Sequence, residues 1–128
     1  MNFSKLEKLI LVVDDEEDVR ESICDVLALV GHDAVGAADG TSALGLLSQK
    51  SFDLIITDLR MPGMDGWRLL SALRADAVLR QIPVCVVSAE PEMPVSANHH
   101  IRKPFDLAAI VEMIDKLLGR VLPRRCAA

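Results

Sequence analysis

Aromatic residues are scarce in this chain: it has no tyrosine, one tryptophan and three phenylalanines. No aromatic set is present on which a flavin would stack, and the Ser- or Thr-rich loops that hold a flavin phosphate are missing as well. Cysteine is sparse too. Cys24, Cys85 and Cys126 are odd in number and lack metal-ligand spacing, so neither a metal site nor a redox role is indicated. Cys24 falls in a helical pattern and Cys85 in an apolar run, where cysteine acts as a small core residue; Cys126 is read as a passive thiol near the end of the chain. The ending Cys126-Ala127-Ala128 is one residue short of a prenylation box. No apolar run approaches the ~18 residues that a membrane span needs. Lys5 and Lys8 precede Leu9–Val13, but five apolar residues cut short by Asp14 and Asp15 are too few for a signal peptide. Basic residues are the minority, with a net charge of −5, which leaves no broad surface for nucleic acid; Arg124 and Arg125 are too few to change that. The expectation is a cytoplasmic protein without membrane or direct nucleic-acid contact. At 128 residues it is one domain, able to bury roughly two-thirds of its unfolded surface.

What the sequence does have is alternation of strand and helix. Leu9–Val13 reads as a first strand, and Val19, Ile23, Val26, Leu27 and Val30 recur at helical spacing over 17–30, with acids in the first turn and Gly31 as the stop. A weak strand over 34–37 precedes a helix over 41–49, which Asp39 can cap. Leu54, Ile55 and Ile56 form the core of a third strand, and Trp67, Leu69, Leu70 and Leu73 mark a helix from Gly66 to Ala75. A fourth strand opens after Pro83, a short fifth covers His99–Arg102, and a last helix spans 106–119. Repeated βα units of this length imply a parallel sheet covered on both faces.

Polar residues gather at the carboxyl ends of these strands, where open α/β sheets place their ligands. The first strand ends in Asp14 and Asp15, the third in Asp58, the fourth in Ser88, and Lys103 follows the fifth. Crowded carboxylates repel one another and gain proton affinity unless a cation joins them. A hard dication such as Mg²⁺ fits an oxygen-rich set and tends to bridge protein carboxylates to phosphate. A metal ion and an ammonium together offset the charge of a phosphoryl group in transfer. One connection breaks the rhythm. Between Ser88 and His99 lie residues 89–98, fewer than the roughly 15 that an average helix with two short connections needs. Pro91 and Pro94 also bar a regular helix from the first half, so the connecting helix is expected to be absent or reduced to one turn.

Val12-Val13-Asp14-Asp15, Asp58 with Met61-Pro62-Gly63-Met64-Asp65-Gly66, Ser88-Ala89 and Lys103-Pro104-Phe105 together resemble the receiver domain of two-component response regulators. The likeness is to a stand-alone, chemotaxis-type receiver and covers about residues 8–119, leaving 120–128 as a flexible tail. It implies a doubly wound, flavodoxin-like, five-stranded parallel sheet in the order 2-1-3-4-5. It also implies a role for each matching residue. Asp58 would be the phosphoacceptor, with Lys103 and Ser88 contacting the phosphoryl group. Asp15, Asp58 and the backbone carbonyl of Arg60 would bind Mg²⁺ directly, and Asp14 through a water. Lys103-Pro104 stands where the family usually has a cis peptide. The implied partners are a histidine kinase or histidine phosphotransferase, docking against the first helix at Asp18, Val19 and Ser22, and an unknown downstream protein target.

Two departures matter. The missing crossover helix belongs to the face that in the family commonly carries dimer or target contacts. His100 stands where the family usually has Tyr or Phe as a switch residue; it is read either as such a switch or as a polar residue on an edge strand. Three further readings stay open. Arg60 and Glu90 either meet over the pocket or are solvated separately. Trp67 either approaches the Asp58 loop or simply packs. Arg68, Arg74 and Arg80 form either a docking surface or a solvated face. The functional expectation is a phosphoryl-accepting switch that acts by partner binding or phosphorelay, not a turnover enzyme. The rivals are a phosphorylation-independent binding module of the same fold and a metal-dependent phosphatase. The phosphatase reading is weakened because Arg60 stands where such enzymes of the haloacid dehalogenase type need a second acid.

Overall fold

A computed structural model describes residues 7–119. The expected tail over 120–128, Cys126 included, lies outside the described residues. Ten elements follow one another: β1 (Leu9–Val13), α1 (Glu17–Leu29), β2 (Asp33–Ala37), α2 (Gly40–Leu47), β3 (Leu54–Thr57), α3 (Gly66–Ala75), a single 3₁₀ turn (Leu79–Gln81), β4 (Val84–Ser88), β5 (His99–Arg102) and α4 (Leu107–Leu118). The five strands form one parallel sheet in the order β2-β1-β3-β4-β5. That is the doubly wound topology implied by the sequence resemblance.

The central strands are apolar throughout because both faces of the sheet are covered. Alternate side chains go to opposite faces. Leu11, Val13, Ile55, Val84 and Val86 pack towards α2 and α3, with Leu69, Leu70 and Leu73. Ile10, Val12, Leu54, Ile56, Cys85 and Val87 pack towards α1 and α4, with Ile23, Leu27, Ile110 and Met113. Cys85 is a core residue, and burial pushes its thiol up to about 12.

Helix ends follow local chemistry. Asp39, Asp65 and Asp106 accept N–H bonds from Ser42, Arg68 and Ala109 and so cap α2, α3 and α4. Helix α1 ends one residue early, with Val30 as cap and Gly31 at φ 94°. Helix α2 stops at Leu47 instead of reaching residue 49, because the Gln49 and Lys50 N–H groups both close onto the Leu46 carbonyl. The 3₁₀ turn carried no sequence signal; Asp76 starts it by accepting the Val78 and Leu79 N–H groups.

No helix joins β4 to β5, as the prolines required. Residues 89–98 instead form a strap over the sheet, with Pro94 buried and Met93 and Ala97 packed against the same core as Val84 and Val86. Side chains hold the strap's carbonyls. Arg102 donates to Glu90 and Pro91, and His100 Nε2 to Pro94 at 2.8 Å. Arg74, half-buried on α3, donates to the Ser96 carbonyl and the Asn98 amide oxygen, and also to the Arg80 and Ile82 carbonyls. Arg74 is thus a structural clamp, while Arg68 and Arg80 are exposed.

Candidate functional site

The β3 register sets where Asp58 sits. Its N–H donates to the Val13 carbonyl of β1 at 2.9 Å, and the Thr57 hydroxyl donates to its carbonyl at 2.8 Å. The chain then turns through Gly63, at φ 72°, and returns so closely that the Gly66 N–H reaches the Leu59 carbonyl at 2.9 Å. Only glycine fits at position 66, since a Cβ there would lie 2.0 Å from the Asp58 carbonyl oxygen. Asp58 is 6% exposed. Its Oδ1 accepts from the Leu59 N–H at 2.7 Å, and its Oδ2 from Lys103 Nζ at 3.0 Å.

Asp14 leaves the end of β1 just as buried. Its Oδ1 accepts the Glu16 N–H at 2.9 Å and its Oδ2 the Lys103 ammonium at 3.1 Å. Burial pushes its pKa upward, and the Asp58 charge adds to that; the Glu16 amide and Lys103 offset only part of the rise. Lys103 arrives from β5 through a cis peptide to Pro104, and its N–H donates to the Ser88 carbonyl at 3.0 Å. Burial opposes its charge, but hydrogen bonds to Asp58 and Asp14 and their charges outweigh that, so its pKa stands above the ordinary value. Glu16 completes the group, 3.4 Å from the same ammonium.

Oxygens of Asp14, Glu16 and Asp58 lie within 4.8 Å of one another. A set of three carboxylate oxygens at this spacing suits a hard, oxygen-seeking dication, and the fixed ammonium beside it suits an anionic group. Glu16 was not singled out from sequence, because an acid at the head of a helix reads as a dipole partner. In the fold its side chain makes no capping bond and turns to Lys103.

The other expected residues are arranged around this core. Asp15 is exposed and stands outside the three-acid group, lining an adjoining hollow with Leu59, Arg60, Pro62, Trp67 and Glu90. Arg60 and Glu90 do meet, as an ion pair over that hollow. Trp67 is 41% exposed and lines this hollow with Leu59 of the Asp58 loop. Ser88 is buried at the end of β4, and its hydroxyl accepts the Glu90 N–H at 3.2 Å. His100 faces the strap through its bond to Pro94 and is exposed, which matches the edge-strand reading.

Comparison with known proteins agrees with this geometry. The model of the response regulator receiver domain matches residues 10–115. The chain is 38% identical over 120 residues to chemotaxis protein CheY of Pseudomonas aeruginosa, covering 88% of this chain and 97% of that protein. Chemotaxis response regulator CheY4 of Vibrio cholerae superposes with a TM-score of 0.81 at 26% identity, covering 88% of this chain and 99% of that one. Response regulator TrrA of Thermotoga maritima, solved in complex with Mg²⁺ and BeF, gives a TM-score of 0.78 at 29% identity, covering 87% and 99%. With its sheet order, its acid-and-lysine edge and relatives matched over nearly their whole length, the chain belongs to the response regulator receiver domain family.

Proposed function

We propose that the protein is a phosphoryl-accepting switch of a two-component system, with Asp58 as acceptor and a phosphohistidine protein as donor. The observation that carries this reading is the single Lys103 ammonium shared by Asp58, Asp14 and Glu16 at 3.0, 3.1 and 3.4 Å beside a nearly buried Asp58. A carboxylate held by a backbone amide and an ammonium presents a fixed oxygen nucleophile. In transfer an Asp58 oxygen bonds to phosphorus while the phosphorus–nitrogen bond of phosphohistidine breaks, and the imidazole leaves with its electron pair. Mg²⁺, when bound, neutralises phosphoryl oxygens; Asp15, Asp58 and the Arg60 carbonyl would hold it, with Asp14 acting through a water. Lys103 would pair with the new phosphoryl oxygens, and the Ser88 hydroxyl would hydrogen-bond to them after leaving the Glu90 amide. That the Thermotoga relative was solved in complex with Mg²⁺ and BeF supports Mg²⁺ as the cation.

The donor would dock on the groove formed by Val19 and Ser22 of α1 with Phe105 and Leu107, which opens beside Lys103. Output would follow through binding of a downstream protein, or through a relay, within a cytoplasmic pathway. On this reading residues 1–128 are one receiver domain and not a turnover enzyme. Among the described residues no helix is long and apolar enough to cross a membrane.

Intact mass after incubation with Mg²⁺ and acetyl phosphate tests the proposal. A gain of one phosphoryl group is expected, lost in Asp58→Asn and without Mg²⁺. No gain from acetyl phosphate or from a phosphohistidine protein would favour a phosphorylation-independent binding module. Multiple turnover of a phosphomonoester would point to a phosphatase. Val19→Glu should slow uptake from the protein donor and leave uptake from acetyl phosphate unchanged; equal slowing of both would remove the docking assignment.

A further inference from the structure

Arg20 lies outside the acid group, yet its side chain bonds to the backbone of that group. It sits on the first turns of α1, and its Nη1 donates to the Asp14 carbonyl at 2.7 Å. Its own N–H donates to the Glu16 carbonyl at 3.0 Å. The side-chain stem crosses β2 over Gly36, where an added Cβ would lie 3.0 Å from Arg20 Cδ and 3.2 Å from Cγ and Nε. Gly36 therefore leaves the space along which the arginine reaches the turn.

From the other side, the Asp14 N–H donates to the Ala37 carbonyl, the residue after Gly36, at 3.1 Å. Both backbone polar groups of Asp14 are thus held by β2, one directly and one through the arginine laid across it. This fixes the direction in which the chain leaves β1 and so the places of Asp14, Asp15 and Glu16. The guanidinium does this by bonding the backbone carbonyl of Asp14.

We infer that Arg20 is a positioning residue that sets the affinity of the acid site for Mg²⁺, with Gly36 as the seat that lets it do so. The inference rests on the cation reading given under Proposed function. Mg²⁺ demands near-octahedral geometry and tolerates displaced ligands poorly, so a loosened turn costs affinity before it costs the fold. Groups that orient ligands without touching the metal typically change metal affinity by about 10–100-fold when removed.

The test is a titration of the full chain with MgCl₂, followed by the backbone amide resonances of Asp15 and Asp58, beside the melting temperature without metal. Arg20→Met, which keeps the stem and loses the donors, should weaken Mg²⁺ binding about tenfold or more. Arg20→Lys should recover part of the loss. Gly36→Ala, with Arg20 intact, should weaken binding because the methyl group displaces the stem; it also serves if Arg20→Met fails to fold. A purely structural role predicts a lower melting temperature with Mg²⁺ affinity changed by less than about threefold, and that result overturns the inference. A wild-type chain whose resonances do not respond to MgCl₂ overturns the cation reading itself, and this inference with it.

Discussion

Asp58 and Gly66 depend on each other. The acceptor's position is fixed by backbone bonds on one side and by a turn that only a residue without a side chain can close on the other. Gly66→Ala should destabilise the protein by roughly 1–3 kcal/mol or more, because the obstructing atoms are backbone and cannot rotate away. It should also reduce phosphoryl uptake in molecules that still fold, since Asp58 must shift. Urea unfolding and intact mass on the same sample check both; wild-type stability would refute the close approach. In the sequence the glycine is legible as part of a family motif, but its physical reason, the close return of the chain onto Asp58, lies in the fold. Glu16 shows the reverse: its identity was plain, yet only the return of β5 brought Lys103 close enough to claim it.

The strap over 89–98 follows from chain length and proline chemistry. Its length and two prolines excluded a helix, and none forms. What replaces the helix was not legible, because the donors lie on other elements. Arg74 comes from α3, while Arg102 and His100 come from β5. An arginine among exposed positions of a helix pattern reads as a solvated face, and its carbonyl partners come into reach only when β4 and β5 pair. Arg74→Ala should cost roughly 1–3 kcal/mol, the range for hydrogen bonds to a charged group, lowered by the solvent exposure of the strap. It should also speed hydrogen exchange at Ala97 and Asn98, whose N–H groups bond to the Pro94 and Val84 carbonyls. Unchanged exchange at both amides would show that the clamp does not hold the strap.

Across the whole molecule, His32 links stability to pH. It is buried after α1, and its Nδ1 accepts the Lys8 N–H at 3.0 Å just before β1 begins, a bond that only the neutral ring makes. Burial lowers its pKa and the Lys8 charge adds to that, against smaller opposing effects of Asp53, Glu7 and Asp115. His99 shifts the same way, by burial and by the charges of Lys116 and His100. The unfolded chain therefore binds more protons than the folded one below the ordinary histidine pKa of about 6.5. The stability contributed by neutral His32 is fully present above that pH and is lost as pH falls through the lowered value. Urea midpoints should drop between pH 7.5 and pH 5.5, and His32→Asn should flatten that dependence. An equal drop in the variant would assign it to other groups.

By itself the sequence determined the order of strands and helices, the two-sided burial of the sheet, the absent crossover helix and which residues stand at the strand ends. Those are consequences of periodicity, proline chemistry and chain length, all local properties. Tertiary structure alone decided the rest. It brought Glu16 to Lys103, left Asp15 exposed beside the hollow, paired Arg60 with Glu90, laid Arg20 across Gly36 and turned Arg74 into a clamp. The physical reason is the same throughout. Long charged side chains take their partners from whichever elements the sheet order places within about 3 Å, and that proximity is set by strand pairing between residues distant in the chain.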